Sequence, residues 1–222
     1  MNIKKIFAIL FITAIGFNST LIKAQDKITE GKAVFTIEIS SEGMSEQQKA
    51  MMPTESTIYF KGSKSRSETN MAMMNMVSIT DAKEKTAITL MDIMGKKTAM
   101  KSDIEKVNGR SNPDDYKIET TDETMKIAGY TCNKVMVTDK EGNKVEMWVT
   151  KDITAQNSGS QMFKGLEGFP MKYEVAVPNM EGKMKMECKS VNSEKVSDDK
   201  FVIPEGYTIK TQEELKKEYG GK

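Results

Sequence analysis

Apolar and polar residues alternate with a period of two along most of the chain, most clearly from Lys126 to Lys151, KIAGYTCNKVMVTDKEGNKVEMWVTK. That period sends successive side chains to opposite faces of a strand. The alternation breaks at Asp139-Lys140-Glu141-Gly142, where Asp first and Gly fourth suit a type I turn closed by a left-handed residue. Gly142 takes positive φ without a Cβ clash. The turn sets a register in which Val137 faces Val145, Val135 faces Met147 and Asn133 faces Val149. Five apolar side chains then share one face, and a slip of one residue would scatter them. The other face carries Cys132, Lys134, Met136 and Thr138 opposite Lys144, Glu146, Trp148 and Thr150, a mixed surface expected to meet water.

The same grammar extends over the chain. Lys32 to Ser41 is a strand with Phe35, Ile37 and Ile39 on one face. Ser45 to Met52 reads as a short helix, capped by Ser45 and stopped by Pro53. Thr57 to Phe60 and Lys64 to Thr69 form a hairpin about Gly62-Ser63, with Ile58 and Phe60 inward. Asn70 to Met76, NMAMMNM, is expected to run extended into Val77-Ser78-Ile79, with Met71, Met73, Val77 and Ile79 on one face. Asp92-Ile93-Met94-Gly95 repeats the D-x-x-G turn, which predicts Leu90 opposite Thr98 and Ile88 opposite Met100.

Ser102 to Asp115 reads as a surface loop. Tyr116 to Thr120 and Met125 to Ile127 are strand pieces. Between Ala155 and Gly168 the pattern predicts a loop and a short helix, Ser160 to Leu166, with Met162, Phe163 and Leu166 on its apolar side. Met171 to Pro178 and Lys183 to Val191 make a last hairpin with a four-residue loop, which sets Val177 opposite Met184, Val175 opposite Met186 and Tyr173 opposite Cys188. Phe201 to Ile203 is expected to end the strands, and Thr211-x-x-Glu214 is a capping box for a terminal helix. Roughly nine to eleven strands in sequential hairpins predict a mainly β fold, a large curved antiparallel sheet or incomplete barrel with a few short helices.

Composition narrows the function. Lys4 and Lys5 precede an apolar run from Ile6 to Phe17, and the stretch closes on Ile22-Lys23-Ala24, as in a signal peptide cleaved near Ala24. The run is about a dozen residues, short of the ~20 that span a bilayer, so the chain is expected to be no integral membrane protein. One domain, residues 25–222, then acts in the periplasm or outside the cell, as a monomer. Removing the leader changes the formal net charge from +1 to −2, with signs interspersed, which argues against nucleic acid as a partner. Histidine is absent altogether, removing imidazole bases, His metal ligands and His-activated nucleophiles. No phosphate loop or nucleophile-elbow motif is found. The expectation is a protein that is not an enzyme and needs no cofactor.

Five phrases stand in order, YFKGSKSR, IAGYTCNKVMV, EMWVTKD, GFPMKYE and FVIPEGY. Together they resemble a family of secreted bacterial proteins of unknown function grouped with the LolA-like lipoprotein carriers, over about Gly31 to Tyr207. The resemblance implies a sheet wrapped into an incomplete barrel whose helices close an apolar cavity. The residues that would line it are Phe35, Ile37, Ile39, Val135, Val137, Met147, Val149, Tyr173, Val175, Met184 and Met186. The occupant implied is a lipid or the acyl chain of a lipoprotein. If the cavity is roomy, Met147→Ala is expected to cost little stability.

Two other readings stay beside this one. Thioethers are soft ligands suited to Cu(I), and Met71, Met73, Met74 and Met76 lie close in sequence. Alternation in a straight strand would offer only two of these sulfurs at once, so they are read as packing residues and no metal is expected. The third reading is a structural or interaction module with a filled core. Cys132 and Cys188 belong to an oxidising compartment, yet they are expected on opposite faces and three strands apart, ~14 Å at the usual strand spacing. A disulfide needs Cα atoms within about 7 Å, so two free thiols are expected. Trp148, opposite Lys134, is either an exposed ring covered by the lysine stem or a sign that this face is covered.

Overall fold

The computed structural model describes residues 27–104, 115–155, 163, 165–177 and 181–219. The expected leader, most of the expected 102–115 loop and most of the helix expected at 160–166 lie outside these residues. One 12-stranded sheet organises the chain. In chain order its strands are β1 (Glu30–Ser41), β2 (Glu55–Lys61), β3 (Lys64–Met71), β4 (Met74–Asp81), β5 (Thr86–Ile93), β6 (Lys96–Asp103), β7 (Tyr116–Ile127), β8 (Tyr130–Asp139), β9 (Lys144–Thr150), β10 (Phe169–Ala176), β11 (Gly182–Asn192) and β12 (Thr208–Ile209). The spatial order is β12-β6-β5-β4-β3-β2-β1-β11-β10-β9-β8-β7. Two meanders thus meet where β1 pairs with β11, and β7 and the short β12 form open edges. All pairs are antiparallel except β12 on β6. The expected mainly β fold with one large open curved sheet is what forms.

Helix α1 (Glu46–Met51) starts at Ser45, whose hydroxyl accepts from Gln48 N while Gln48 Oε1 accepts from Ser45 N. The terminal helix α2 (Gln212–Tyr219) has the same reciprocal device between Thr211 and Glu214. The sequence showed the second as a capping box and the first only as a Ser cap. The β8–β9 hairpin has the predicted register, Val137 opposite Val145, Val135 opposite Met147 and Asn133 opposite Val149. Gly142 has φ +86°, and Asp139 and Asn143 close the loop.

Several expectations are corrected. NMAMMNM is not one extended stretch: the chain turns at Ala72-Met73, and Met71 lies directly opposite Met74. Val77 and Ile79 consequently face away from Met74 and Met76, not toward a shared face with Met71. The β5–β6 loop has two residues, Met94-Gly95, both at positive φ (+52° and +88°). Such a turn matches the twist of the flanking strands, and it shifts the register by one, placing Leu90 opposite Ala99 and Ile88 opposite Lys101. In β10–β11, Val175 faces Met184 and Tyr173 faces Met186. That is a shift of two from expectation, so every side chain keeps its face. Phe201 closes a 3₁₀ turn (Asp198–Phe201) and does not belong to a strand.

The two halves of the sheet place their apolar clusters on opposite faces. Taking the face that bears Phe35 as the inner one, register carries it through Ile58 and Phe60 of β2, Met186 of β11, Tyr173 of β10, Met147 of β9 and Val135 of β8. These residues form the main core. Beyond β2 the inner face turns polar, with Ser56, Ser65, Ser67, Thr69 and Thr80 hydrogen-bonded among themselves. Here the apolar cluster lies on the outer face: Ile79, Leu90 and Ala99 pack beneath Val196 and Phe201. The covering segment is pinned by polar bonds. Val196 N donates to Glu30 at 2.7 Å, Lys61 donates to Asp198 at 3.0 Å and Arg66 donates to the Lys200 carbonyl at 3.0 Å.

Candidate functional site

All eleven residues expected to line a cavity lie on the inner face. Phe35, Ile37, Val135, Val137, Met147, Val149, Tyr173 and Met186 are buried in the main core, and Ile39, Val175 and Met184 pack against it half-buried. The centre of this surface is filled. Phe169, at the start of β10, sits between Phe35 and Phe60 with ring centroids 6.0 and 5.8 Å away. At the other side Phe163 meets Tyr116 edge-on at 5.2 Å, and Leu166 is buried. Each such ring is worth about 1.5–3 kcal/mol of burial, so the aromatic filling is a main contributor to the fold.

Beside this filling an opening remains, a cleft of about 210 Å³. Ile118, Thr120, Asn133, Val135 and Val149 form its floor, all on the inner face of β7–β9, and Leu166 and Glu167 close its other wall. Lys151 stands at the rim and pairs with Glu167 at 3.7 Å; both are largely exposed, so that contact is worth no more than about 1 kcal/mol. Of the expected cavity residues, Val135 and Val149 border this cleft. Ile118 and Thr120 were not singled out from sequence, whereas Leu166 was expected on the apolar side of a short helix. The signal for Ile118 was its register against Val137, which only the β7–β8 pairing supplies.

Cys132 corrects the view of the outer face. The β8–β9 pairing ends at Asn133, whereas the β7–β8 hairpin continues to its Ala128-Gly129 turn. That tip delivers Ile127, Met125, Tyr130 and a fully buried Cys132 to the main core. Cys132 and Cys188 are both free thiols. Burial pushes Cys132 up to about 11 and Cys188 up to about 12, outweighing backbone hydrogen bonds that act in the opposite sense. They are protonated at neutral pH and poor nucleophiles. Burial likewise raises Tyr173 to about 12, and its hydroxyl donates to Met186 Sδ at 2.9 Å.

Trp148 is covered. Its Nε1 donates to Glu146 at 3.0 Å, Glu146 pairs with Lys134 at 3.2 Å, and the Lys134 ammonium lies 6.0 Å from the indole ring. Hydrogen bonding to Glu146 and then Glu123 raises the Lys134 pKa.

Two groups of methionines stand out. Met147, Met171 and Met186 are core residues. By contrast Met71, Met74, Met76 and Met91 lie together on the inner face of β3–β5: Met71 opposite Met74, and Met76 opposite Met91. Met73 and Met94 occupy the two adjacent turns, 56% and 80% exposed, and Met76 is 38% exposed. Among the described residues, no cluster of three Cys, Asp or Glu side chains could hold a metal ion, and no helix is long and apolar enough to cross a membrane.

Comparison with curated proteins gives no match. Among solved structures, PNGF-II is 17% identical and superposes with a TM-score of 0.53, over 85% of this chain and 33% of that one. The chain therefore spans about a third of PNGF-II. An uncharacterized conserved protein from Thermus thermophilus is 7% identical, with a TM-score of 0.51 over 83% of this chain and 91% of that one. At these identities the likeness is one of fold. An outer membrane lipoprotein-sorting protein domain from Vibrio parahaemolyticus covers 81% of this chain and 92% of its own at 9% identity, but its TM-score of 0.25 carries no structural argument. The family model described as a domain of unknown function, DUF4412, matches residues 42–164, more than half of the sequence, and the chain belongs to that family.

Proposed function

We infer that the chain is a non-enzymatic binding protein of the periplasm or cell exterior that holds the apolar chain of a lipid or lipid-modified partner against the inner face of its sheet. The observation that carries this is the cleft between β7–β9 and Leu166: its floor sets the apolar Ile118, Val135 and Val149 beside Thr120 and Asn133, Val135 and Val149 belong to the main core, and the Lys151 ammonium marks its mouth. Its volume lies below the ~300–1,000 Å³ of drug-sized pockets, which suits the end of one acyl chain. Lys151 suits a carboxylate or phosphate head group. The leader-like N-terminus supports the compartment, and the lack of histidine supports a non-enzymatic role. The LolA-like resemblance of the strand phrases agrees with an apolar guest.

The dense aromatic filling of the inner face favours a second reading, an interaction module that takes no small ligand. Titration with a fluorescent fatty acid separates the two. Saturable binding is expected, weakened at least tenfold by Ile118→Trp, which fills the cleft from a half-buried position. Binding that is absent, or unaffected by Ile118→Trp, supports the interaction module and ends the carrier reading.

A further inference from the structure

We propose that Met71, Met74, Met76 and Met91 form a thioether site for Cu(I) on the inner face of β3–β5. Against such a site stands the straight-strand geometry, in which alternation sends these sulfurs to opposite sides. The turn at Ala72-Met73 removes that obstacle. Folding back at this point puts Met71 directly opposite Met74 and leaves Met76 two residues along the same strand, on the same face. Pairing with β5 then brings Met91 opposite Met76. Directly opposed Cβ atoms lie about 4.5–5.5 Å apart, and residues two apart on a strand about 6.8 Å. Each methionine arm is unbranched with three rotatable bonds, so three sulfurs, those of Met74 and Met76 with Met71 or Met91, reach a common point above the sheet.

Burial says what Met76 is not doing. Packing explains methionines that are removed from water, as Met147 and Met171 are. It does not explain Met76, 38% exposed on the face of β3–β5 opposite the apolar cluster of this wing, next to the half-buried Met71, Met74 and Met91. The chemistry narrows the ion. Thioethers are soft and neutral, which favours Cu(I) over the hard divalent cations that require carboxylate or carbonyl oxygen. The ligand set holds no ionisable group, so its affinity carries no proton competition of its own, unlike a Cys or His site. Both thiols are buried in the main core on β8 and β11, not on β3–β5.

The test uses the chain without its leader, titrated anaerobically with Cu(I) against a chromophoric chelator, and methyl NMR of ¹³C-methionine-labelled protein. One equivalent is expected to bind, with shifts confined to the methyls of Met71, Met74, Met76 and Met91. Met74→Leu with Met76→Leu should weaken binding at least tenfold while circular dichroism is unchanged. Failure to compete with the chelator overturns the proposal, as do shifts at other methionines or an affinity that survives the double substitution. If the double variant does not fold, the methyl shifts of the unsubstituted protein decide. None of these outcomes bears on fatty acid binding at the β7–β9 cleft.

Discussion

Met147→Ala asks whether the inner face is a packed core or the wall of a roomy cavity. Met147 sits on β9 between two strands, with Val135 opposite on β8 and Tyr173 opposite on β10, and its side chain is fully buried. Truncation removes Cγ, Sδ and Cε. The void cannot collapse easily, because hydrogen-bonded ladders on both sides hold the flanking backbones at the spacing of adjacent strands. Met→Ala at buried sites costs about 2–5 kcal/mol, and this environment belongs in the middle of that range, about 3–4 kcal/mol. The geometry thus replaces the sequence-based expectation of a small loss. Urea unfolding followed by far-ultraviolet circular dichroism measures it. With a slope of about 2–3 kcal/mol per molar for a chain of this size, the midpoint should fall by roughly 1–2 M at unchanged slope. A loss below about 1 kcal/mol would refute the packed-core geometry and restore the open cavity.

Cys132 and Cys188 should resist alkylation in the native protein at pH 8 and each take one group after denaturation, read by intact mass. Their folded pKa values, about 11 and about 12, lie above that of an unfolded thiol. Their contribution is therefore complete below pH ~8.5 and is lost as pH rises. Stability should accordingly decline from pH ~9 upward, whereas flat stability to pH 11 would contradict thiol burial. Met94→Asn should stabilise the fold by about 1 kcal/mol, since Met94 holds φ +52° in an exposed turn where Asn is at ease. That predicts a Tm higher by ~2–4 °C in calorimetry, and a lower Tm would show that Met94 makes stabilising contacts.

What the sequence determined by itself is local. Period-two alternation located most of the strands, and the Ser45 cap with Pro53 and the Thr211–Glu214 capping box located both short helices, because side-chain direction and end-capping depend on residues a few positions apart. The β8–β9 register was legible because one turn has the chemistry to set it and five apolar residues penalise a slip. The eleven inner-face residues followed from the same rule, and even the β10–β11 error preserved them, since a shift of two does not change faces. What only the tertiary structure decided is non-local. A D-x-x-G sequence makes a three-residue loop at Gly142 and a two-residue loop at Gly95, and the partner strands choose between them. Ala72-Met73 has no turn residue at all, so the fold-back that gathers the methionines is imposed by pairing of the strands on either side. Above all, alternation says that a strand has two faces but not which one is covered. Covering β3–β6 from the outside with Val196 and Phe201, and β7–β11 from the inside with Phe169 and Leu166, depends on contacts between segments far apart in the chain.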